Sequence, residues 1–318
     1  MVANSHHLPK RPLGSTGAMV SMIGLGGYHI GSRKLSMKEA VELIQAAIDN
    51  GITFLDNSWD YYDGESERRV GKALKDGYRE KAFVMTKIDG RSRKEADKQL
   101  DESLTRLDCG HIDLLQHHEV IRFEDADRIF AEDGAMQTFL KAQREGKIRY
   151  IGFTGHKDPH IHLYMLETAE RNGFRFDAVQ MPLNPMDAHF RSFGKLVLPK
   201  LVEADIAVLG MKSMADGVLL KSGLVTPQEC LRYALSLRTS TVITGIGNRD
   251  LLDQALEVAR NFEPMTHEEK DELLAKTAKA AAGGAYELFK TSQHHDSTAE
   301  HPEWLGEDPA RVRALAAE

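Results

Sequence analysis

Four polar side chains close or follow apolar runs in the first half of the chain, and together they could carry out acid–base chemistry. Asp56 closes the run 51–55, and Tyr61 follows five residues later. Lys87 and His118 close two further runs. Each run has the composition of a buried parallel strand. Because the carboxyl ends of parallel strands carry the functional residues of α/β proteins, we expect these four side chains to converge.

The four residue types suit proton donation to a carbonyl group. A tyrosine phenol has a pKa of about 10, and a neighbouring ammonium lowers that pKa because it favours the phenolate. We expect Lys87 to lower the pKa of Tyr61 toward neutrality, by about three pH units or about 4 kcal/mol. Asp56 would hold Lys87 in place, and His118 would orient the carbonyl oxygen. No side chain donates hydride, so a nicotinamide would have to supply it.

Strand-like and helix-like segments alternate along the chain. The predicted strands are 20–25, 52–56, 83–87, 112–116, 148–153, 178–181, 207–210 and 242–244. Predicted helices lie between them, some opened by Ser or Thr with Glu three residues later, as at Ser36 and Ser92. Eight βα units predict a closed (β/α)8 barrel over residues 18–262 of a single domain. An open doubly wound sheet is the alternative, but residues 24–29 do not match its G-x-G-x-x-G fingerprint.

Composition excludes several classes of function. A net charge of −7 gives no bulk attraction to nucleic acid or anionic membranes. No run approaches the roughly 18 apolar residues of a membrane span, and residues 1–11 lack the apolar segment of a secretory signal. Cys109 and Cys230 suit free thiols in a reducing cytosol. We expect a cytoplasmic protein with a small-molecule substrate, and the oligomeric state stays open.

No metal site is expected from the histidines that follow the fifth predicted strand. His156, His160 and His162 are close in sequence. Residues two apart on a helix do not share a face, so His160 and His162 would point to opposite sides.

Beyond residue 262 the alternation of strands and helices ends. A further helix is predicted from Thr266, followed by a polar segment that holds Tyr286, Phe289 and Trp304. The segment 263–318 is either a frayed tail or an extension folded over the barrel mouth. The aromatic side chains favour the folded extension, because a disordered tail would not need them. In that case we expect Lys290 or His294 close to the cofactor or the substrate.

The motifs around the four polar residues resemble the aldo-keto reductase family, from about residue 13 to residue 260. Residues 56–67 are similar to the family pattern D-T-A-x-x-Y-G-x-G-x-S-E, and residues 112–118 are similar to I-D-L-Y-Q-I-H. Residues 24–28 resemble its first strand, and residues 12–17 resemble its N-terminal β-hairpin. The resemblance implies a catalytic tetrad of Asp56, Tyr61, Lys87 and His118.

The same resemblance implies a nicotinamide cofactor at the barrel mouth. Thr154 stands where the family often has Ser, and Gly155 stands where it has Asn. Gln180 fits the family pattern, whereas Met211 and Lys212 replace a stacking aromatic residue and a Ser. The implied cofactor-binding residues are Gly26, Gly27, Asp56, Thr154, Gly155, Gln180, Met211, Lys212, Gly245, Gly247, Asn248, Arg249, Asp253 and Gln254.

The segment after the eighth strand bears on the choice between NADP and NAD. A helix N-terminus at Asn248 suits a phosphate group. Arg249 could bind a 2′-phosphate, whereas the neighbouring Asp250 argues against one. The sequence favours NADP, with NAD as the alternative.

The leading hypothesis is an NADP(H)-dependent reductase that converts a carbonyl substrate into an alcohol, with Tyr61 as proton donor. The expected substrate-binding residues are Tyr28, Trp59, Tyr62, Glu119 and His156. A Schiff-base aldolase with Lys87 or Lys212 as nucleophile is one alternative. A non-catalytic NADP-binding redox sensor or regulatory subunit is another.

Overall fold

The computed structural model describes residues 8–306 together with residues 310 and 314. It begins with an antiparallel hairpin of β1 (Lys10–Pro12) and β2 (Met19–Ser21), in which Arg11 lies opposite Val20. The N-terminal β-hairpin that the resemblance of residues 12–17 implied is confirmed. Gly17, at the end of that turn, has a φ of 79°, a conformation that glycine adopts without steric cost.

Eight parallel strands follow and close into a barrel, with the last strand beside the first. They are β3 (Ile23–Gly26), β4 (Phe54–Asp56), β5 (Phe83–Ile88), β6 (Ile112–His117), β7 (Ile148–Thr154), β8 (Ala178–Pro182), β9 (Ala207–Met211) and β10 (Thr241–Thr244). The predicted (β/α)8 barrel is confirmed. The predicted first strand 20–25 is divided, because Val20 pairs within the hairpin and Ile23 pairs with Val242 of β10.

Helices surround the barrel strands. They are α1 (Gly27–Gly31), α2 (Met37–Asp49), α3 (Glu65–Ala73), α4 (Arg93–Leu107), α5 (Phe123–Phe130), α6 (Ala135–Arg144), α7 (Pro159–Arg171), α8 (Phe193–Leu196), α9 (Leu198–Glu203), α10 (Pro227–Leu235) and α11 (Arg249–Arg260). The segment between β8 and β9 holds two helices, α8 and α9, because Pro199 has no N–H to bond the carbonyl of Lys195. Ser36 caps α2 in a complete capping box with Glu39, as predicted.

The barrel interior is filled below the mouth. Phe54, Met85, Leu114, Leu209 and Ile243 belong to one buried apolar cluster inside the barrel. The Phe54 ring stacks on that of Phe83 at 5.1 Å between centroids. This packed floor leaves the carboxyl ends of the strands as the place for a cavity.

The C-terminal extension folds back over the mouth. It contains α12 (His267–Ala281), α13 (Leu288–Thr291) and α14 (Ser297–Glu300). Lys290 lies in a buried ion-pair network, with its Nζ 2.7 Å from Asp187 Oδ1 and 2.9 Å from Glu287 Oε2. Of the two residues expected near the cofactor or substrate, Lys290 does not line the cavity, and its charge is used in attaching the extension.

Among the residues described, no helix combines the length and the apolar character needed to cross a membrane.

Candidate active site

A cavity of about 510 Å³ opens at the carboxyl ends of the barrel strands. Asp56, Tyr61, Lys87 and His118 all line it, so the structure brings the four predicted side chains together. They come from three consecutive strands and from the loop after β4. Trp59 N donates to the carbonyl of Lys87 at 2.9 Å and so fixes that loop against β5.

Lys87 is the centre of the hydrogen-bond network. Its Nζ lies 2.5 Å from Asp56 Oδ1, 2.5 Å from the carbonyl of Asn57 and 3.3 Å from the Tyr61 hydroxyl. The Lys87 and Asp56 side chains are only 1% and 6% exposed. A buried ammonium with three acceptors is fixed in orientation, because each of its protons has a partner. Lys87 therefore directs an N–H toward the phenol oxygen.

The expected lowering of the Tyr61 pKa is not what the structure shows. Burial raises the pKa of the Tyr61 phenol well above its ordinary value, and the negative charges of Asp56, Asp60 and Glu119 add to the rise. The single ammonium of Lys87 is outweighed because its charge is largely balanced by Asp56. The phenol accordingly remains protonated at neutral pH, which is the state that a proton donor requires.

His118 lies beside the phenol, with its ring edge-on to that of Tyr61 at 5.8 Å between centroids. Burial lowers the pKa of His118, so the ring is neutral near pH 7. Its Nδ1 lies 2.9 Å from Asp89 Oδ1, 3.2 Å from Ser58 Oγ and 3.6 Å from Asp60 Oδ1. The Nδ1 side of the ring thus faces three oxygen atoms inside the protein.

The cofactor side of the cavity has one feature that fits a nicotinamide carboxamide. Gln180, in the middle of β8, lines the cavity, and its Oε1 is buried without a hydrogen-bond partner among the described residues. An unpaired buried acceptor costs stability unless a ligand supplies a donor. Thr154 lines the same wall, and its hydroxyl lies 3.9 Å from Met211 Sδ. These residues therefore fit an amide-bearing ring beside Tyr61.

The structure divides the expected cofactor-binding residues into two groups. Those that line the cavity are Gly26, Asp56, Thr154, Gln180, Met211, Lys212, Gly245 and Gln254. Those outside its lining are Gly27, Gly155, Gly247, Asn248, Arg249 and Asp253.

Several of the expected cofactor-binding residues that lie outside the cavity lining have a structural role instead. A Cβ on Gly27 would lie 2.4 Å from the Asp56 carbonyl, and one on Gly155 would lie 2.2 Å from the Val120 carbonyl. These glycines allow close backbone contacts behind the cavity. Asn248 caps α11 by accepting from Leu251 N at 2.9 Å. Arg249 is exposed at the first residue of the same helix, near the cavity rim that Leu251 and Gln254 form.

Three of the five expected substrate-binding residues line the cavity: Tyr28, Glu119 and His156. Trp59 and Tyr62 do not. The Trp59 indole donates to Glu102 Oε2 at 2.7 Å and packs edge-on against Trp304 at 5.1 Å, so it faces α4 and the extension. Tyr62 lies behind Tyr28, with 5.2 Å between the ring centroids.

Several residues of the site were not expected from the sequence. Asp60 lines the cavity, and Asp89 lies fully buried behind His118. Asp89 follows Lys87 by two residues, and side chains two apart on an extended segment share a face. That spacing could have identified Asp89 as a residue near the site. From the extension, Phe289, His294, His295 and Ser297 reach the cavity wall. The expected approach of His294 to the site is therefore what the structure shows.

Other side chains that line the cavity carry nitrogen atoms, namely those of His156, Lys212 and His295. Burial lowers the pKa of His156 to about 3 and that of His295 to about 4, so both rings are neutral. Lys212 is half-buried, has a left-handed φ of 53°, and places its Nζ 5.5 Å above the Phe289 ring. No carboxylate among the described residues pairs with Lys212, and burial lowers its pKa. A strained backbone and an unpaired cation in a cavity are typical of a ligand-binding position.

A closed barrel whose mouth carries Asp, Tyr, Lys and His around one cavity fits an oxidoreductase. A sequence model of the aldo/keto reductase family matches residues 22–228, more than half of the 318 residues. The chain therefore belongs to the aldo/keto reductase family.

Curated relatives and a solved structure agree with this membership. The chain is 38% identical to L-galactose dehydrogenase of Arabidopsis thaliana over 157 residues, which cover 46% of this chain and 48% of that protein. It is 30% identical to aldo-keto reductase AMT2 of Alternaria alternata over 215 residues, covering 55% and 57% of the two chains. The matched part thus spans only about half of each relative. The holo form of aldo-keto reductase AKR11C1 from Bacillus halodurans superposes with a TM-score of 0.69 at 22% identity, over 85% of this chain and 96% of that chain, which shows a shared fold.

Proposed function

We propose that this protein is an NADP(H)-dependent reductase that converts an aldehyde or ketone into an alcohol, with Tyr61 as proton donor. One observation carries the proposal: the Tyr61 hydroxyl lies in a cavity at 3.3 Å from an ammonium that a buried carboxylate holds in place. When bound, the nicotinamide would supply hydride to the carbonyl carbon. The residues that would hold its amide end are Gln180 and Thr154.

The chain's own residues would handle the proton and the developing negative charge. As the carbonyl oxygen becomes an alkoxide, the Tyr61 O–H would transfer its proton to that oxygen. Lys87 would stabilise the phenolate left behind, because its Nζ already donates toward the same oxygen. His118 would fix the direction of the carbonyl. The packed floor and the extension would exclude water from the mouth and so strengthen these electrostatic effects.

The substrate we favour is a small polar carbonyl compound. Glu119, His156, Lys212 and His295 give the cavity a wall with polar groups. The plant relative is named for L-galactose, a polyhydroxylated sugar. A wall of donors and acceptors suits hydroxyl groups better than an apolar chain. We propose no nucleic acid or membrane partner, and we propose a cytoplasmic location, because Cys109 and Cys230 are free thiols.

The test is Tyr61→Phe, compared with Tyr62→Phe as a matched control. Carbonyl reduction would be followed by nicotinamide absorbance over a panel of aldehydes, ketones and aldoses, and cofactor affinity by fluorescence titration. We expect kcat of Tyr61→Phe to fall about 10²- to 10⁴-fold, the usual contribution of a general acid, with cofactor affinity kept within a few-fold. Tyr61→Phe with nearly full activity would contradict the assignment. Tight NADPH binding with negligible turnover on the whole panel would favour a redox sensor instead.

A Schiff-base aldolase remains the second candidate because of Lys212. A lowered pKa in a cavity is what an amine nucleophile needs. Lys87 does not suit that role, since its ammonium is held by three acceptors. Borohydride treatment with a carbonyl substrate would leave a covalent adduct on Lys212 in an aldolase and no adduct in a reductase.

A further inference from the structure

Asp89 is buried, and its carboxylate bonds no cation and no backbone N–H among the described residues, unlike the carboxylates of Asp113 and Asp125. Asp125 accepts from Arg91 Nε at 3.1 Å and from two backbone N–H groups. Asp113 accepts from Arg79, Arg149 and Val84 N. Asp89, with a fully buried side chain, contacts only His118 Nδ1 through Oδ1, and its Oδ2 has no partner among the described residues.

The nearest guanidinium does not neutralise Asp89. Arg91 lies two residues away and is fully buried, but its Nη1 donates to the backbone carbonyl of Asp89 at 2.7 Å. Its Nη2 donates to the carbonyls of His118 and Glu119, both at 2.8 Å. A carboxylate that loses water and gains no donor is unstable as an anion, because burial penalises the charged form. The neutral acid is the form that this environment favours.

The protonation of Asp89 decides which nitrogen of His118 carries hydrogen. If Asp89 were ionised, the neutral imidazole would donate from Nδ1, and its Nε2 would be a bare acceptor unable to bond a carbonyl oxygen. If Asp89 keeps its proton, its O–H donates to Nδ1, and the ring proton then lies on Nε2. Every hydrogen bond of the ring to a described residue is made by Nδ1. Nε2 is therefore the ring nitrogen that can bond a ligand in the cavity that His118 lines.

We propose that Asp89 is a positioning residue that remains protonated and donates to Nδ1 of His118, so that Nε2–H of His118 is presented to the carbonyl oxygen of the substrate. The proposal rests on the proposed carbonyl reduction, which needs a donor at this place. Asp89 would touch neither substrate nor cofactor, and it would act through the tautomer of His118.

Other charged groups near Asp89 set the pH at which this arrangement is lost. The basic groups that face it are Lys87, Arg91 and His301, and the acidic groups are Asp60, Glu119 and Asp125. Burial outweighs the basic groups and raises the pKa of Asp89 to about 7. The competent state is the protonated one, so reduction should decline as the pH rises through about 7.

The test combines histidine NMR with a pH profile. In protein labelled with ¹⁵N-histidine, with the His118 signals assigned by their loss in His118→Asn, we expect the Nε2–H tautomer at pH 6 and a change toward Nδ1–H above pH 7. This NMR measurement needs no substrate, so its result does not depend on whether the proposed function is correct. A His118 ring with its proton on Nδ1 at pH 6 would overturn the proposal.

The kinetic arm uses Asp89→Asn, with Asp60→Asn as the matched control. The amide N–H₂ of Asn can donate to Nδ1 at every pH, so Asp89→Asn should remove the alkaline decline while keeping kcat at pH 6 within about tenfold. Asp60→Asn, which removes the other carboxylate facing Nδ1, should keep the decline. Asp89→Ala should lower kcat with cofactor affinity unchanged. An alkaline decline that persists in a folded Asp89→Asn protein would refute the role.

Discussion

Replacing Lys290 by Met should loosen the C-terminal extension from the barrel mouth. The Lys290 side chain is fully buried, and those of Asp187 and Glu287 are 3% and 1% exposed. Removing one partner of a buried ion pair costs about 3–5 kcal/mol, because a buried charge is left without compensation. Here we expect the low end, about 3 kcal/mol, for two reasons. Burial raises the pKa of Glu287 to about 7, so Glu287 can take up a proton, and Asp187 keeps its bonds to Phe193 N and Gly194 N.

A loss of about 3 kcal/mol corresponds to about a hundredfold more frequent opening of the extension. Amide hydrogen exchange in residues 287–300 should therefore become about a hundredfold faster in Lys290→Met. The Michaelis constant should rise as well, because Phe289, His295 and Ser297 line the cavity. The matched control is Lys276→Met in α12 of the same extension. It breaks a half-exposed pair with Glu229 of α10 and should cost no more than about 1 kcal/mol. Lower thermal stability with unchanged exchange in 287–300 would refute the reasoning, since the network would then belong to the barrel core.

The remaining predictions concern the cofactor and pH. Arg249→Ala should weaken NADPH binding relative to NADH binding by about fivefold to tenfold. This is the low end for a charged contact, because Arg249 is exposed. Equal dissociation constants for the two cofactors, unchanged in the variant, would exclude this role of Arg249. Thermal stability should decline from pH 6 to pH 8. The raised pKa of Glu287, about 7, contributes stability that is fully present below its unfolded value near 4.5 and is lost as pH rises through 7. Glu287→Gln should flatten part of that decline, and an unaltered pH dependence of its melting temperature would contradict the assignment.

The barrel and the tetrad could be predicted from the sequence because both depend on local patterns. Apolar runs ending in polar residues mark parallel strands, and the carboxyl ends of these strands meet at one edge. Asp56, Lys87 and His118 could therefore be placed together without any structure. The spacing from Asp56 then brought in Tyr61 from the adjoining loop.

The electrostatics of the site could not be predicted in this way. The pKa of Tyr61 is raised by burial and by the charges of Asp56, Asp60 and Glu119, and these effects follow from how the loops fold. Trp59 was expected in the cavity because it is close to Tyr61 in sequence, but its indole is drawn to Glu102 of α4. The contribution of the extension to the site could not be predicted from the sequence either. Glu119 accepts hydrogen bonds from Ser297 N and Thr298 N, which are 178 and 179 residues away in the chain.

The guanidinium of Arg91 has a consequence for motion at the site. One rigid planar group bonds the carbonyls of Asp89, His118 and Glu119 and the carboxylate of Asp125. In addition, Arg91 N donates to the carbonyl of Trp304 in the extension. The loops after β5 and β6 therefore cannot fluctuate independently on fast timescales. Order parameters in the two loops should be high and similar, and the backbone beneath His118 should keep its shape even while the extension opens.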